Sequence, residues 1–405
     1  MFKSALQFGL PVCFVALALG CGSDDTTPNP LEKASAAATT YAQIVSASYE
    51  DSLESAEELD AAITDFIEAP SEGGFEDARK AWLDAREPYL QTEVYRFYNG
   101  PIDNEDTGPE GLINAWPLDE NYIDYVRDPE NPDVIDESAG IVNDADFEIS
   151  AESLLEANEG IDEKSIATGY HAIEFLLWGQ DNLDVYVDGG GQRAYTDYVT
   201  GDGGTHQNQD RRGQYLTTVS GLLVGHLGEL VDAWKAGEDG NYRAEFEAAA
   251  PKEQLSRILT GMIVLSEAET GGERLQPGLD LHDQEEEHSC FSDNTHRDFV
   301  QDLQGVLNVY RGTYRRTDGS LVEGPSVHEA VAALDAALAD ELDAKIQEGL
   351  DLAKALEPPF DREIAEDNEE GNARVQALID SLKEQGDLLE EVFAAFELPP
   401  PSLEL

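Results

Sequence analysis

Gly169-Tyr170-His171-Ala172-Ile173-Glu174-Phe175-Leu176-Leu177-Trp178-Gly179-Gln180-Asp181 is the stretch on which the reading of this chain turns. At about 100° per residue it forms a helix. Ile166, Tyr170, Ile173 and Leu177 make one stripe, which is ordinary core. Ala167, His171, Glu174 and Trp178 make a second, about a quarter turn away, where a seam against another element is expected. His171 and Glu174 are three residues apart and share a face. Gly179 ends the helix as a C-terminal glycine does, and Asp162 or Ser165 is expected to cap its start. A neutral imidazole and a carboxylate on adjacent turns are good divalent-metal ligands and make half a metal site. The same pair also reads as a buried histidine hydrogen-bonded to a carboxylate. It is neither the His-Glu-x-x-His motif of zinc peptidases nor its inverse, because no second histidine lies within a turn.

Helical spacing recurs on both sides of this stretch. Tyr41, Ile44, Val45, Leu53, Leu59, Ile63, Phe66 and Ile67 predict a first helix over 30–69. A second runs from Phe75 through Trp82 to Phe97, bent by Pro88, with Arg86, Glu93, Tyr95 and Arg96 towards its end. Residues 99–143 are irregular and rich in Pro, Gly, Asn and Asp. So long an aperiodic stretch reads as functional or as a hairpin-like excursion, and Trp116, Tyr122 and Tyr125 argue that it packs. A short helical piece follows over 141–155. Beyond the organising helix, Val185-Tyr186-Val187 is the one strand-like run. Helices are expected over 211–235, 242–250, 252–269, 298–310, 326–356 and 361–396, with 273–282 as loop. Strand alternation is almost missing. The chain is therefore all-α, read as two helical bundles, 35–205 with the motif and 206–398, packed around a central pocket, with a loop-rich excursion in the first.

The start of the chain has Lys3, an apolar run over 5–19, then Ala18-Leu19-Gly20-Cys21. That is the pattern of a signal peptide over 1–20, too short for a membrane span. The cysteine after the glycine resembles a bacterial lipobox, so Cys21 is expected to carry lipid, with 21–34 as a polar tether. The protein is then exported and lipid-anchored to the cell envelope, the outer membrane favoured. Cleavage near Gly20 without lipid is the plainer alternative. Cys13 leaves with the signal, so Cys290 is the one remaining thiol and no internal disulfide can form.

Acidic residues number 85 against 25 basic, a formal charge of −60. Such a surface repels nucleic acid and anionic headgroups. Nucleic acid is excluded as a partner, and the membrane is reached through the lipid anchor alone. Solubility in a salty exterior accounts for the charge, and so does the gathering of cations.

Two further constellations join His171 and Glu174. Glu93 and Arg96 stand one turn apart among Tyr89, Tyr95, Phe97 and Tyr98, either as a surface pair or in a more buried setting. Residues 285–296 concentrate His288, Cys290, Asp293 and His296. His288, Asp293 and His296 could ligate a metal, while Asp293 or Asn294 could equally cap the following helix. These nitrogen and oxygen donors suit iron, zinc or manganese better than copper(I). No Gly-rich phosphate loop and no Gly-x-Ser-x-Gly elbow is present.

Gly169-x-His171-x-x-Glu174 resembles the Gly-x-His-x-x-Glu signature of the imelysin-like proteins. The runs GYHAIEFLLWGQD, TEVYRFYNGPID, GQRAYTDYV, GGERL and EEEHSCFSDNTH resemble the iron-regulated protein A branch of that family, over most of 35–398. The resemblance implies an all-helical, two-bundle envelope protein tied to iron uptake or iron regulation. Its ligand is a divalent or trivalent metal ion, iron favoured and zinc the alternative, or an iron-bearing ligand, and iron-uptake proteins are its possible partners. It carries over His171 and Glu174 as motif residues, with Glu93 as a further metal ligand. Arg96, Trp178, Glu273 and Arg274 are expected in the same pocket. The family's founding name comes from a proposed metallopeptidase, so two rivals stand beside metal binding. One is a peptidase using the same pair, although a third ligand and an obvious general base are missing from the motif. The other is an interaction scaffold in which the pair only holds helices together.

Overall fold

The computed structural model describes residues 29–128, 131–183, 185–187 and 189–403, so the signal, the lipidation site Cys21 and most of the tether lie outside the described residues. Eight α-helices of ten residues or more organise the described residues: α1 Pro30–Glu68, α2 Glu72–Leu90, α3 Gly169–Trp178, α4 Gln209–Trp234, α5 Pro251–Ile263, α6 Thr295–Arg311, α7 Ala336–Ala353 and α8 Glu369–Ala395. Two small antiparallel hairpins accompany them. β1 (Val126–Asp128) pairs with β2 (Asn131–Asp136), and β3 (Thr313–Arg315) with β4 (Leu321–Glu323). The fold is all-α. Among the described residues no helix is long and apolar enough to cross a membrane.

α1 starts where Pro30 occupies the first turn, a place that needs no amide proton, and the Asn29 side chain accepts from the Leu31 N–H at 3.1 Å. The start at Pro30 agrees with the helical spacing over 30–69 and places residues 30–34, also read as the end of the tether, in α1. α1 packs on α2, α4, α5 and the short helix Val327–Ala332. Its buried Tyr41, Ile44, Val45, Leu59, Ile63 and Phe66 join one contiguous apolar cluster that runs through the whole chain. Burying each large apolar side chain contributes about 1.5–3 kcal/mol.

Several boundaries differ from expectation. α2 ends at Leu90 rather than near Phe97: it runs through Pro88, and just beyond it Thr92 folds back, its hydroxyl on the Tyr89 carbonyl at 2.6 Å. Glu93–Tyr95 then forms a separate 3₁₀ turn. α3 starts at Gly169 behind Thr168, while Asp162 and Ser165 bond each other in a preceding turn (2.8 Å). Residues 141–155 divide into parts of two short helices, Gly140–Asn143 and Ala151–Ala157. Residues 185–187, too short a run for the sequence to assign, are turn and bend. Residues 273–282 are helical almost throughout, because α5 continues as a π-helical segment, Val264–Leu275, and then as Gln276–Leu281. The long segments 326–356 and 361–396 each divide into a short and a long helix.

Candidate metal centre

α3 is buried along its whole length. Its first residue explains the glycine of the signature. Gly169 has φ +85°, and a Cβ there would stand 2.5 Å from the Ile113 carbonyl oxygen. Only glycine tolerates both, and the close approach brings segment 113–118, with Trp116, against the start of α3. Trp82 of α2 donates its indole N–H to the Tyr170 carbonyl at 2.9 Å and so fixes α3 from the other side.

His171 and Glu174 meet as the spacing predicts, with Nδ1 to Oε2 at 2.9 Å. The other Glu174 oxygen accepts from the Ser292 backbone N–H (3.0 Å) and hydroxyl (2.7 Å). Burial pushes the Glu174 carboxyl up to about 8, against those Ser292 bonds. His171 Nε2 is buried with no hydrogen-bond partner among the described residues. Burial first, then His288 and Arg86, hold its pKa well below the usual imidazole range, so the ring is neutral at pH 7, and in the tautomer that carries its proton on Nδ1 the Nε2 lone pair is free for a metal.

The third constellation contributes one of its members here. The His288 ring lies edge-on to His171, centroids 4.7 Å apart at 73°. Its Nδ1 is held by Asp298 at 2.8 Å, and Asp298 also accepts from the Ser289 hydroxyl at 2.6 Å and from Arg86 at 3.3 Å. His288 too is held well below its ordinary pKa, by burial and then by Arg274 and Arg86. Trp116 packs on both imidazoles, 5.0 Å from His171 and 6.4 Å from His288.

Beside the imidazoles lies a network of charge. Glu93 Oε2 bridges Arg96 (2.6 Å) and Arg274 (2.9 Å). Burial would raise the Glu93 carboxyl, yet the two guanidiniums hold it down at about 2. Arg274 also reaches Glu269 (2.8 Å) and Asp302 (2.9 Å), and Arg96 reaches Glu110 (3.1 Å). Arg274 and Glu269 are five residues apart on the π-helical segment, the spacing of its i→i+5 hydrogen bonds.

A cleft of about 570 Å³ opens onto this assembly, lined among others by Arg96, Glu273, Arg274, Trp116 and His288. His171 lies one ring behind that lining. Arg96, Glu273 and Arg274 line this cleft. Trp178 does not line the cleft. It packs on Trp82 at 5.4 Å and under Arg79 at 5.3 Å, because it sits at the far end of α3. Asp293 and His296 do not join His288. Asp293 is at φ +56° and accepts from the Gly189 and Gly190 amides (3.1 and 2.8 Å), tying down a loop, and neither it nor Asn294 caps α6 through its side chain. Glu93 puts Oε2 on Arg96 and Arg274 and leaves Oε1 buried without a hydrogen-bond partner among the described residues, while Glu174 uses both oxygens, on His171 and on Ser292.

Sequence reasoning missed Trp116, Asp298, Asp302, Ser292 and, as a site residue, Arg86. Spacing offered a signal for some. Arg86 falls in the stripe Phe75, Ala78, Trp82, Tyr89, and Asp298 and Asp302 fall in the stripe Thr295, Gly305, Val309, all buried. Charged residues on a buried helical stripe need partners.

Two imidazoles, each with Nδ1 on a carboxylate, match the arrangement that orients metal-ligating histidines. Among the described residues no three His, Cys, Asp or Glu side chains converge as a ligand cluster.

The model of the imelysin family, the peptidase family M75, matches residues 45–389. The chain is similar to iron-regulated protein A of Synechococcus elongatus, 24% identical over 373 residues that cover 88% of this chain and 87% of the relative. Among solved structures it resembles an iron-regulated protein A precursor from Parabacteroides distasonis, with a TM-score of 0.69 and 18% identity over 91% of this chain and 97% of that one. An imelysin-like protein from Psychrobacter arcticum gives a TM-score of 0.62 at 15% identity, over 91% of this chain and 96% of that one. With the family matched over most of its length, and with the signature histidine and glutamate joined at the back of the cleft, this chain belongs to the imelysin family.

Proposed function

We propose that this protein is exported, held to the cell envelope by lipid on Cys21, and binds a metal ion, iron foremost, in iron uptake or iron regulation. The observation that carries the metal is the buried, unpartnered Nε2 of His171, with Nδ1 fixed by Glu174 and with His288 in the same posture on Asp298. The relative named for iron regulation supports iron over zinc. His171 and His288 would hold the ion, Glu174 and Asp298 would orient the rings, and iron would be cargo. The test is a calorimetric titration of metal-stripped protein with Fe(II), Fe(III), Zn(II) and Mn(II). One equivalent is expected, lost in His171→Ala and His288→Ala and weakened about 10–100-fold in Glu174→Ala. Weak, many-sited binding that none of these changes alters would sink the metal and leave the scaffold reading. Incorporation of labelled palmitate, absent in Cys21→Ser, tests the anchor.

A metallopeptidase is the second reading, favoured by the size of the cleft. Its 570 Å³ exceeds what an ion with six waters needs, about 180 Å³ at about 30 Å³ per water. It requires chelator-sensitive hydrolysis of an unfolded protein substrate that His171→Ala abolishes.

A further inference from the structure

We infer that the cleft takes its metal as a hydrated cation and turns away metal carried in a polyanionic chelate. The inference deepens the metal-binding reading and rests on it. Seven carboxylates line the cleft against three cationic side chains. Glu159, Glu163, Glu273, Glu285 and Glu286 are exposed, with Lys164 the one exposed cation beside them. Deeper in, the two arginines are committed. Arg96 lies on Glu93 (2.6 Å), Glu110 (3.1 Å) and Glu269 (3.7 Å), and Arg274 on Glu93, Glu269 and Asp302 within 2.9 Å. A carboxylate-rich chelate would have to displace one of these buried carboxylates to gain a guanidinium, and it would meet the glutamates first.

Size does not make this choice. A cleft of 570 Å³ admits an ion with its first water shell, and it also has room for a small chelate. Charge makes it. A recess lined by one sign of charge with low-dielectric walls concentrates the opposite ion and raises its on-rate by about 10–10³-fold, an effect that salt removes. The ion keeps its water past the glutamates and exchanges it at the neutral imidazoles, where donors of fixed orientation wait behind Trp116 and His288.

The experiment uses the full chain. Anaerobic Fe(II) is mixed with the protein in stopped flow and read by quenching of tryptophan fluorescence, Trp116 being 5.0 Å from His171. One variant carries Glu159→Gln, Glu163→Gln, Glu273→Gln and Glu286→Gln. A control removes the same charge from glutamates outside the cleft lining: Glu54→Gln, Glu57→Gln, Glu58→Gln and Glu341→Gln. The inference expects Fe(II) entry to slow about tenfold or more in the cleft variant and at high salt, with little change in the control. It expects ferric citrate neither to bind nor to slow Fe(II). Entry at the native rate in the cleft variant, or saturable ferric citrate binding that His171→Ala abolishes, overturns it. Fe(II) binding that survives His171→Ala instead overturns the metal reading, and this inference with it.

Discussion

His171 keeps one ring nitrogen on Glu174 and leaves the other without a partner, whereas Glu93 holds two arginines on Oε2 and leaves only Oε1 without one among the described residues. The two residues should therefore fail differently. Glu93→Gln leaves Arg96 and Arg274 buried with less compensation, and breaking a buried ion pair costs about 3–5 kcal/mol. Urea unfolding should show that loss, while metal affinity falls far less than in His171→Ala. Equal loss of affinity in both variants would restore Glu93 as a ligand. A second titratable residue lies apart from the centre. Burial, then Asp293 and Asp181, push the Asp361 carboxyl up to about 7, although the Arg362 N–H donates to it at 2.6 Å. Glu287 and the Arg362 side chain also belong to this neighbourhood. The native state then keeps a proton that the unfolded chain releases at its ordinary 3.8. Stability from this group is greatest below that value and declines as pH rises to about 7. Asp361→Asn removes the decline, so its melting temperature should rise relative to the native protein between pH 4 and pH 8, by roughly 2 °C or more. A constant difference across that range would refute the assignment.

Elements bring these residues together by close backbone approach. α5 crosses the Glu93–Tyr95 turn at Gly261, where a Cβ would stand 2.0 Å from the Val94 carbonyl oxygen. That contact is with backbone, so no side-chain rotation relieves it. Gly261→Ala should push α5 away from the turn, with a destabilisation of about 1–3 kcal/mol from overpacking and a visible drop in the melting temperature. The shift should also loosen the Glu93–Arg274 pair, since the π-helical segment that carries Arg274 continues directly from α5. An alanine variant with native stability would mean that the two backbones are not so closely packed. The widened turns of that segment have their own role. They let Glu269 and Arg274, five residues apart, meet at 2.8 Å, where an α-helix of the same sequence would turn them to different faces.

At the scale of the whole molecule, one contiguous core joins residues from Ala34 to Phe396, and α1 packs on helices early and late in the chain. Melting in a calorimeter should therefore give one cooperative transition covering both sequence halves. Two separated transitions would mean that 35–205 and 206–398 hold their structure independently. The sequence by itself determined the all-α class, the course of α1, the end of the organising helix at Gly179 and the pairing of His171 with Glu174. Those properties are local: hydrophobic period, capping chemistry and the i,i+3 spacing of a helix act within a few residues. Only the tertiary structure decided that His288 stands 4.7 Å from His171 while Asp293 turns to the Gly189 and Gly190 amides. It also decided that Glu93 answers to Arg274, 181 positions away, and that Trp116 covers the imidazoles. Those contacts depend on how separate elements cross, and a crossing is fixed by packing, here by glycines whose missing Cβ lets two backbones touch. Spacing along one helix does not encode it.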